Sequence, residues 1–107
     1  MTVATSYPHI EKLAGEPARL RRLPRVRVSQ IVVDYLNHGW SPDEIVIHYP
    51  HLKRAEVHSA MAYYFDHQAE IDAEIAEEQR LIGEAGKSAQ PTPVELRLRA
   101  QGLLPPR

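Results

Sequence analysis

The chain has no cysteine, so neither a disulfide framework nor a thiolate metal site is open to it. No apolar run approaches the roughly 20 residues that a membrane-spanning helix needs. Met1 to Leu13 carries Pro8, His9 and Glu11 and lacks the apolar centre of a secretory signal, so a cytoplasmic protein with no membrane partner is expected. A chain of 107 residues holds one domain plus tails. It buries only about two-thirds of the surface its unfolded form exposes, which favours one compact unit, with self-association adding to it.

What is present is segregated charge. The formal net charge is −1. Residues 1–28 nevertheless set Lys12, Arg19, Arg21, Arg22, Arg25 and Arg27 against Glu11 and Glu16, a net +4. Residues 66–86 set seven acids against Arg80, a net −6, and residues 87–107 return to +3. Such a layout suits separate surfaces for separate partners, or simply solvated faces that differ.

The first 18 residues are broken by Pro8, Gly15 and Pro17 and read as irregular. Arg25-Val26-Arg27-Val28 alternates polar and apolar as a half-buried strand does, so residues 1–28 form a basic arm or a short β-ribbon. Val28, Ile31, Val32, Tyr35 and Leu36 make one helical stripe that Gly39 ends. Ser41-Pro42-Asp43-Glu44 is a compact start signal, with Ser41 as cap, Pro42 in the first turn and Glu44 completing a capping box. Pro50 stops that second helix. A third helix begins near Lys53, with Val57, Met61, Tyr64, Gln68, Ile71 and Ile75 at the spacing of a heptad seam, and it runs to about Gly83–Gly86. Its second half needs cover, from a second copy of the chain or from the C-terminal tail. Residues 87–93 read as a linker, and Val94 to Leu104 as a short amphipathic helix that orders on something else.

These elements predict a mainly α protein with a three-helix, helix-turn-helix core over 28–66, a long third helix over 53–86 and a partner-binding tail over 87–107. In such folds the third helix leads into the DNA major groove with its first turn. Here that turn offers Lys53, Arg54 and His58, with Arg54 shaped to read guanine and Lys53 suited to a phosphate. Similar helical turns also occur in proteins that never touch DNA.

The run from Gly39 to Leu52 reads G-x-S-x-x-E-I-x-x-x-Y-P-x-L, and Val57, Ala60 and Tyr63 continue it as V-x-x-A-x-x-Y. Upstream stand Gly15-x-Pro17 and Arg25-Val26-x-Val28. Together these motifs resemble a family of small prokaryotic proteins catalogued as domain of unknown function 433 and regarded as antitoxins. The likeness spans roughly residues 8–66. Two departures stand out: Leu23-Pro24 replaces the family's Gly-Thr before the R-I-x-V motif, and Lys53 replaces the usual capping Thr or Ser of the third helix. The lost hydroxyl costs on the order of 1 kcal/mol, part of which Glu56 can return from the first turn.

The resemblance implies a homeodomain-like core, operator DNA as one partner and a PIN-like ribonuclease toxin as the other. On that expectation Arg19, Arg21, Arg22, Arg25, Arg27, Lys53, Arg54 and His58 face DNA. Val94, Leu98, Leu103 and Leu104 anchor the tail on the toxin, and Arg97 or Arg99 enters its acidic, metal-binding centre. A homodimer, or a larger hetero-oligomer with the toxin, would match a palindromic operator. The competing expectation is an assembly module, or a stand-alone regulator, without a toxin partner.

No catalytic role, metal or cofactor is expected. His48 and His51 are three apart but separated by Pro50, and no acidic or cysteine ligand stands beside them. Asp66, Glu70 and Glu74 share one helix face, which without a nucleophile or glycine-rich loop reads as a solvated acidic face. Tyr64 reads as core, with Tyr63 and Phe65 partly so, and no ligand pocket is expected.

Overall fold

The computed structural model describes residues 2–3, 7–85 and 92–104, with side chains placed over 7–81 and 92–104. Three short antiparallel strands, β1 (Thr2–Val3), β2 (Ile10–Leu13) and β3 (Arg19–Leu20), precede five helices. The helices are α1 (Val28–His38), α2 (Pro42–His48), α3 (Arg54–Asp66), α4 (Gln68–Ala85) and α5 (Pro93–Ala100). The protein is mainly helical, and no helix among the described residues is long and apolar enough to cross a membrane.

Local chemistry accounts for the first two helices. The α1 stripe buries Val28, Ile31 and Val32. Gly39 then takes the left-handed conformation (φ 68°) and returns its N–H to the Tyr35 carbonyl, ending the helix. At α2 the Glu44 N–H donates to Ser41 Oγ at 3.2 Å, and the Ser41 N–H donates to Glu44 Oε1 at 3.0 Å, the capping box legible in the sequence. These bonds hold the Glu44 carboxyl below the usual range, the Ser41 backbone contributing most. Helix α3 starts without a capping hydroxyl, and Glu56 Oε1 accepts the Lys53 N–H at 2.8 Å in its place.

Three expectations are corrected. The ribbon lies at 10–13 and 19–20 with a further pairing to 2–3, while Arg25–Val28 contributes only a single bridge, Arg19 to Arg27. Pro24 and Arg25 sit in a turn closed by the Val26 N–H on the Leu23 carbonyl, and Val28 is taken by α1. The first half of β2 pairs with β3 and the second half with β1, in the order β1-β2-β3.

The long third helix breaks at His67, which leaves helical geometry (φ −129°, ψ 41°) and caps α3 through bonds to the Tyr63 and Tyr64 carbonyls. Beyond the break α4 turns back, so that Ile71 and Ile75 are fully buried in the common core. Uncovered, each would expose a large aliphatic side chain costing about 2 kcal/mol, and bending the chain removes that cost. The side chain of Ile82 lies outside the described residues.

Finally, the core is not three-helical. Helix α5 packs on α1 and α4, placing Val94, Leu98 and Leu104 in the same core as Ile10, Leu20, Val32, Ile45, Val57 and Tyr64. Most of the expected linker, 86–91, lies outside the described residues. Of the covers open to the third helix, the tail is one that the fold uses, through α5 on α4.

Candidate nucleic-acid interface

The turn from Tyr49 to Lys53 joins α2 to α3, closed by the Leu52 N–H on the Tyr49 carbonyl at 2.9 Å. Leu52 is buried beneath it and Val57, Ala60, Met61 and Tyr64 fix the inner face of α3. The outer face that remains carries Arg54, Ala55, His58, Ala62 and Phe65, all exposed. The acids nearest this stripe on α3 are Glu56, buried, and Asp66 at the far end. Small residues beside Arg54 and His58 give a helix face that a groove can receive.

Each expected DNA contact has a definite place. Arg22 reaches across to α3, donating from Nε to Glu56 Oε2 at 2.9 Å, and from a terminal nitrogen to Glu56 Oε1 at 2.8 Å and to the His51 carbonyl at 2.7 Å. Glu56 has only 1% of its side chain exposed, and the Arg22 guanidinium holds its carboxyl below the usual range. Arg22 is thus a clamp that seats the α2–α3 turn. Arg19 pairs with Glu11 at 2.7 Å and Glu16 at 3.5 Å, and Arg27 with Glu78 at 3.2 Å. Arg21 is exposed with one bond to the Ile10 carbonyl, and Arg25 and Lys53 are exposed as well. Arg54 pairs with Asp43 at 2.9 Å, and His58 Nε2 lies 3.6 Å from the same carboxylate oxygen. Both partners are more than half exposed, so the Arg54–Asp43 pair is weak and opens readily to a phosphate or a base edge.

Sequence reasoning missed the acids. Asp43 and Glu56 occupy the cations that spacing alone leaves free, and the only signal was their position in helical first turns. Of the acidic face read as solvated, Asp66 and Glu70 are exposed and Glu74 is not. Glu70 accepts from the Tyr63 hydroxyl at 2.9 Å, and Tyr7 donates to Asp66. Glu74 turns inward with one buried oxygen lacking a partner, and burial, then Glu70, pushes its carboxyl up to about 7. Tyr63 and Tyr64 are both buried, while Phe65 is 54% exposed. Trp40 stacks between His38 and His48, with ring centroids 4.2 and 3.7 Å away.

The expected toxin contacts divide. Val94 and Leu98 are fully buried, and Leu104 nearly so, against the chain's own helices. Arg97 donates to the Tyr64 hydroxyl at 2.8 Å and pairs with Asp72 at 3.5 Å, while Arg99 pairs with Glu95 at 3.0 Å. Of the expected apolar anchors Leu103 stays exposed, and Leu96, not singled out from sequence, joins it. No group of histidines and carboxylates that could hold a metal occurs among the described residues.

Residues 22–64 match the model of the family described as Protein of unknown function (DUF433). That segment runs from the Arg22 clamp through α1, α2 and nearly all of α3, and it contains the Gly39–Tyr63 motifs but not Arg19, Arg21 or Phe65. No curated protein and no solved structure matches the chain.

Proposed function

We propose that this chain is a helix-turn-helix DNA-binding protein, with α3 as recognition helix, that serves as the antitoxin of a toxin–antitoxin pair. The observation that carries the DNA-binding reading is the outer stripe of α3. Arg54, Ala55, His58 and Ala62 stand exposed on a helix whose first turn is fixed from behind by Arg22 and Glu56. Arg54 and His58 read base edges, while Arg21, Arg25 and Lys53 contact phosphates. Arg19, Arg22 and Arg27 hold the ribbon and turn in place through their acidic partners. The antitoxin role is supported by the motif resemblance and the family match over 22–64. In the described fold, a toxin meets the exposed Leu96 of α5 and Leu103 just after it; contact through Val94, Leu98 and Leu104 requires this segment to leave α1 and α4.

Electrophoretic mobility shift with the DNA upstream of its own reading frame tests the first part. Three phosphate contacts per chain give a log–log salt dependence with a slope of about −3, and replacing Arg54 and His58 with alanine abolishes sequence preference. Binding unchanged by that double substitution removes α3 from the interface. Co-purification of a small PIN-like protein encoded beside the gene tests the second part, and the chain emerging alone from such co-expression refutes it.

A further inference from the structure

A cleft of about 250 Å3 opens between α1, α2 and the turn leading into α3. Its floor is Val26, Ile31, Ile45 and Leu52, the last three almost wholly buried and therefore fixed. Its rim carries Gln30, Asp34, Tyr49 and His51. These residues come from four separate segments, which is why no motif announces the cleft.

The rim has one charge. The Asp34 side chain is 24% exposed, and His38 Nε2 lies 4.0 Å from its Oδ1. The Tyr49 hydroxyl donates to the same carboxylate, and burial, then the charge of Asp34, pushes that hydroxyl up. Among the described residues no lysine or arginine forms an ion pair with Asp34. A half-buried carboxylate above an apolar floor, with no permanent cation against it, is complementary to a ligand that brings both a cation and an apolar body. The ring of Tyr49, edge-on to that of His51 at 6.2 Å, adds an aromatic group of the kind that attracts a cation. An anion is repelled by Asp34, and a polyol gains nothing from Ile31, Ile45 and Leu52.

We propose that this cleft binds a small organic cation, an alkyl- or arylalkylammonium, with its ammonium on Asp34 and its apolar body on Ile31, Ile45 and Leu52. The volume lies just below the range of about 300–1,000 Å3 typical of drug-sized sites, which sets a fragment-sized ligand. The binding site is independent of whether α3 contacts DNA.

The test compares 2-phenylethylamine with its neutral counterpart 2-phenylethanol on the full chain at neutral pH, following backbone amide shifts by NMR. The amine is expected to give saturable shifts centred on Ile31, Asp34, Ile45, His51 and Leu52, with the alcohol at least about tenfold weaker. Asp34→Asn brings the amine down to the level of the alcohol. Equal affinity for amine and alcohol, shifts scattered away from the cleft, or amine binding unaltered by Asp34→Asn each overturn the proposal. Should Asp34→Asn unfold the chain, the amine-to-alcohol comparison on the unaltered protein decides alone.

Discussion

Replacing Glu74 with glutamine isolates one carboxyl that the fold holds out of water. In the native chain one Glu74 oxygen is buried without a partner, and the group faces Glu70 and Glu78 on α4, Lys12 on β2 and Arg27 at the start of α1. Burial and Glu70 outweigh the two cations, moving the carboxyl from its ordinary 4.5 up to about 7. At about 1.4 kcal/mol per tenfold, that displacement is worth up to about 3 kcal/mol. The folded state binds the proton more tightly than the unfolded chain does. The contribution is therefore fully present below pH about 4.5 and is lost as pH rises through about 7. Urea unfolding of both proteins at intervals from pH 4.5 to 8.5 checks it, because other titrating groups cancel in the difference between them. Glu74→Gln should gain on the native chain from pH about 4.5 to about 7, level off above that, and at pH 8 exceed it by up to about 3 kcal/mol. A difference that stays constant with pH refutes the account and returns Glu74 to the solvated face that its sequence suggests.

Three further substitutions probe the core and the interface. Tyr64→Phe removes the hydroxyl donor from Asp72 Oδ1, on a residue only 4% exposed that keeps Arg97 on its other oxygen, and removes an acceptor from Arg97, so it should cost about 1–2 kcal/mol in the same urea assay. A loss under about 0.5 kcal/mol would show that water replaces the hydroxyl. Leu98→Ala empties a fully buried site between α5 and α1, with an expected cost of about 3 kcal/mol and faster proteolysis between α4 and α5. Unchanged cleavage would mean that α5 is held without it. On the proposed DNA-binding reading, Asp43→Asn frees Arg54 and His58 and removes a negative charge beside α3, so operator affinity should rise about threefold at low salt. A fall would mean that Asp43 positions Arg54 rather than restraining it.

Much of the fold was legible because local signals and tertiary packing agree. Ser41-Pro42-Asp43-Glu44 writes its own helix start, Gly39 its own helix end, and the Val28–Leu36 stripe its own buried face. The break at His67 was not legible. Neither glycine nor proline stands there, and the heptad spacing runs unbroken through it. What ends α3 is a pair of bonds made only once the chain has turned, Tyr64 to Asp72 and Tyr63 to Glu70, with His67 stacked on Tyr63 at 4.1 Å beside them. The candidate interface was half legible for a similar reason. Residue type and spacing located the cations. Which of them are committed to Glu11, Glu56 or Glu78 depends on pairs as many as 51 positions apart, as for Arg27 and Glu78.

The docking of the last helix on the first also bears on how the chain folds during synthesis. The Val94 N–H donates to Asn37 Oδ1 at 2.9 Å across 57 positions, and Val94 and Leu98 complete the apolar cover of α1 and α4. While the ribosome is still adding residues beyond α4, the emerging chain lacks that lid and presents an apolar face to whatever it meets. Closure of the core waits for residues 93–104 to leave the exit tunnel, and until then the nascent chain is exposed to chaperones and proteases.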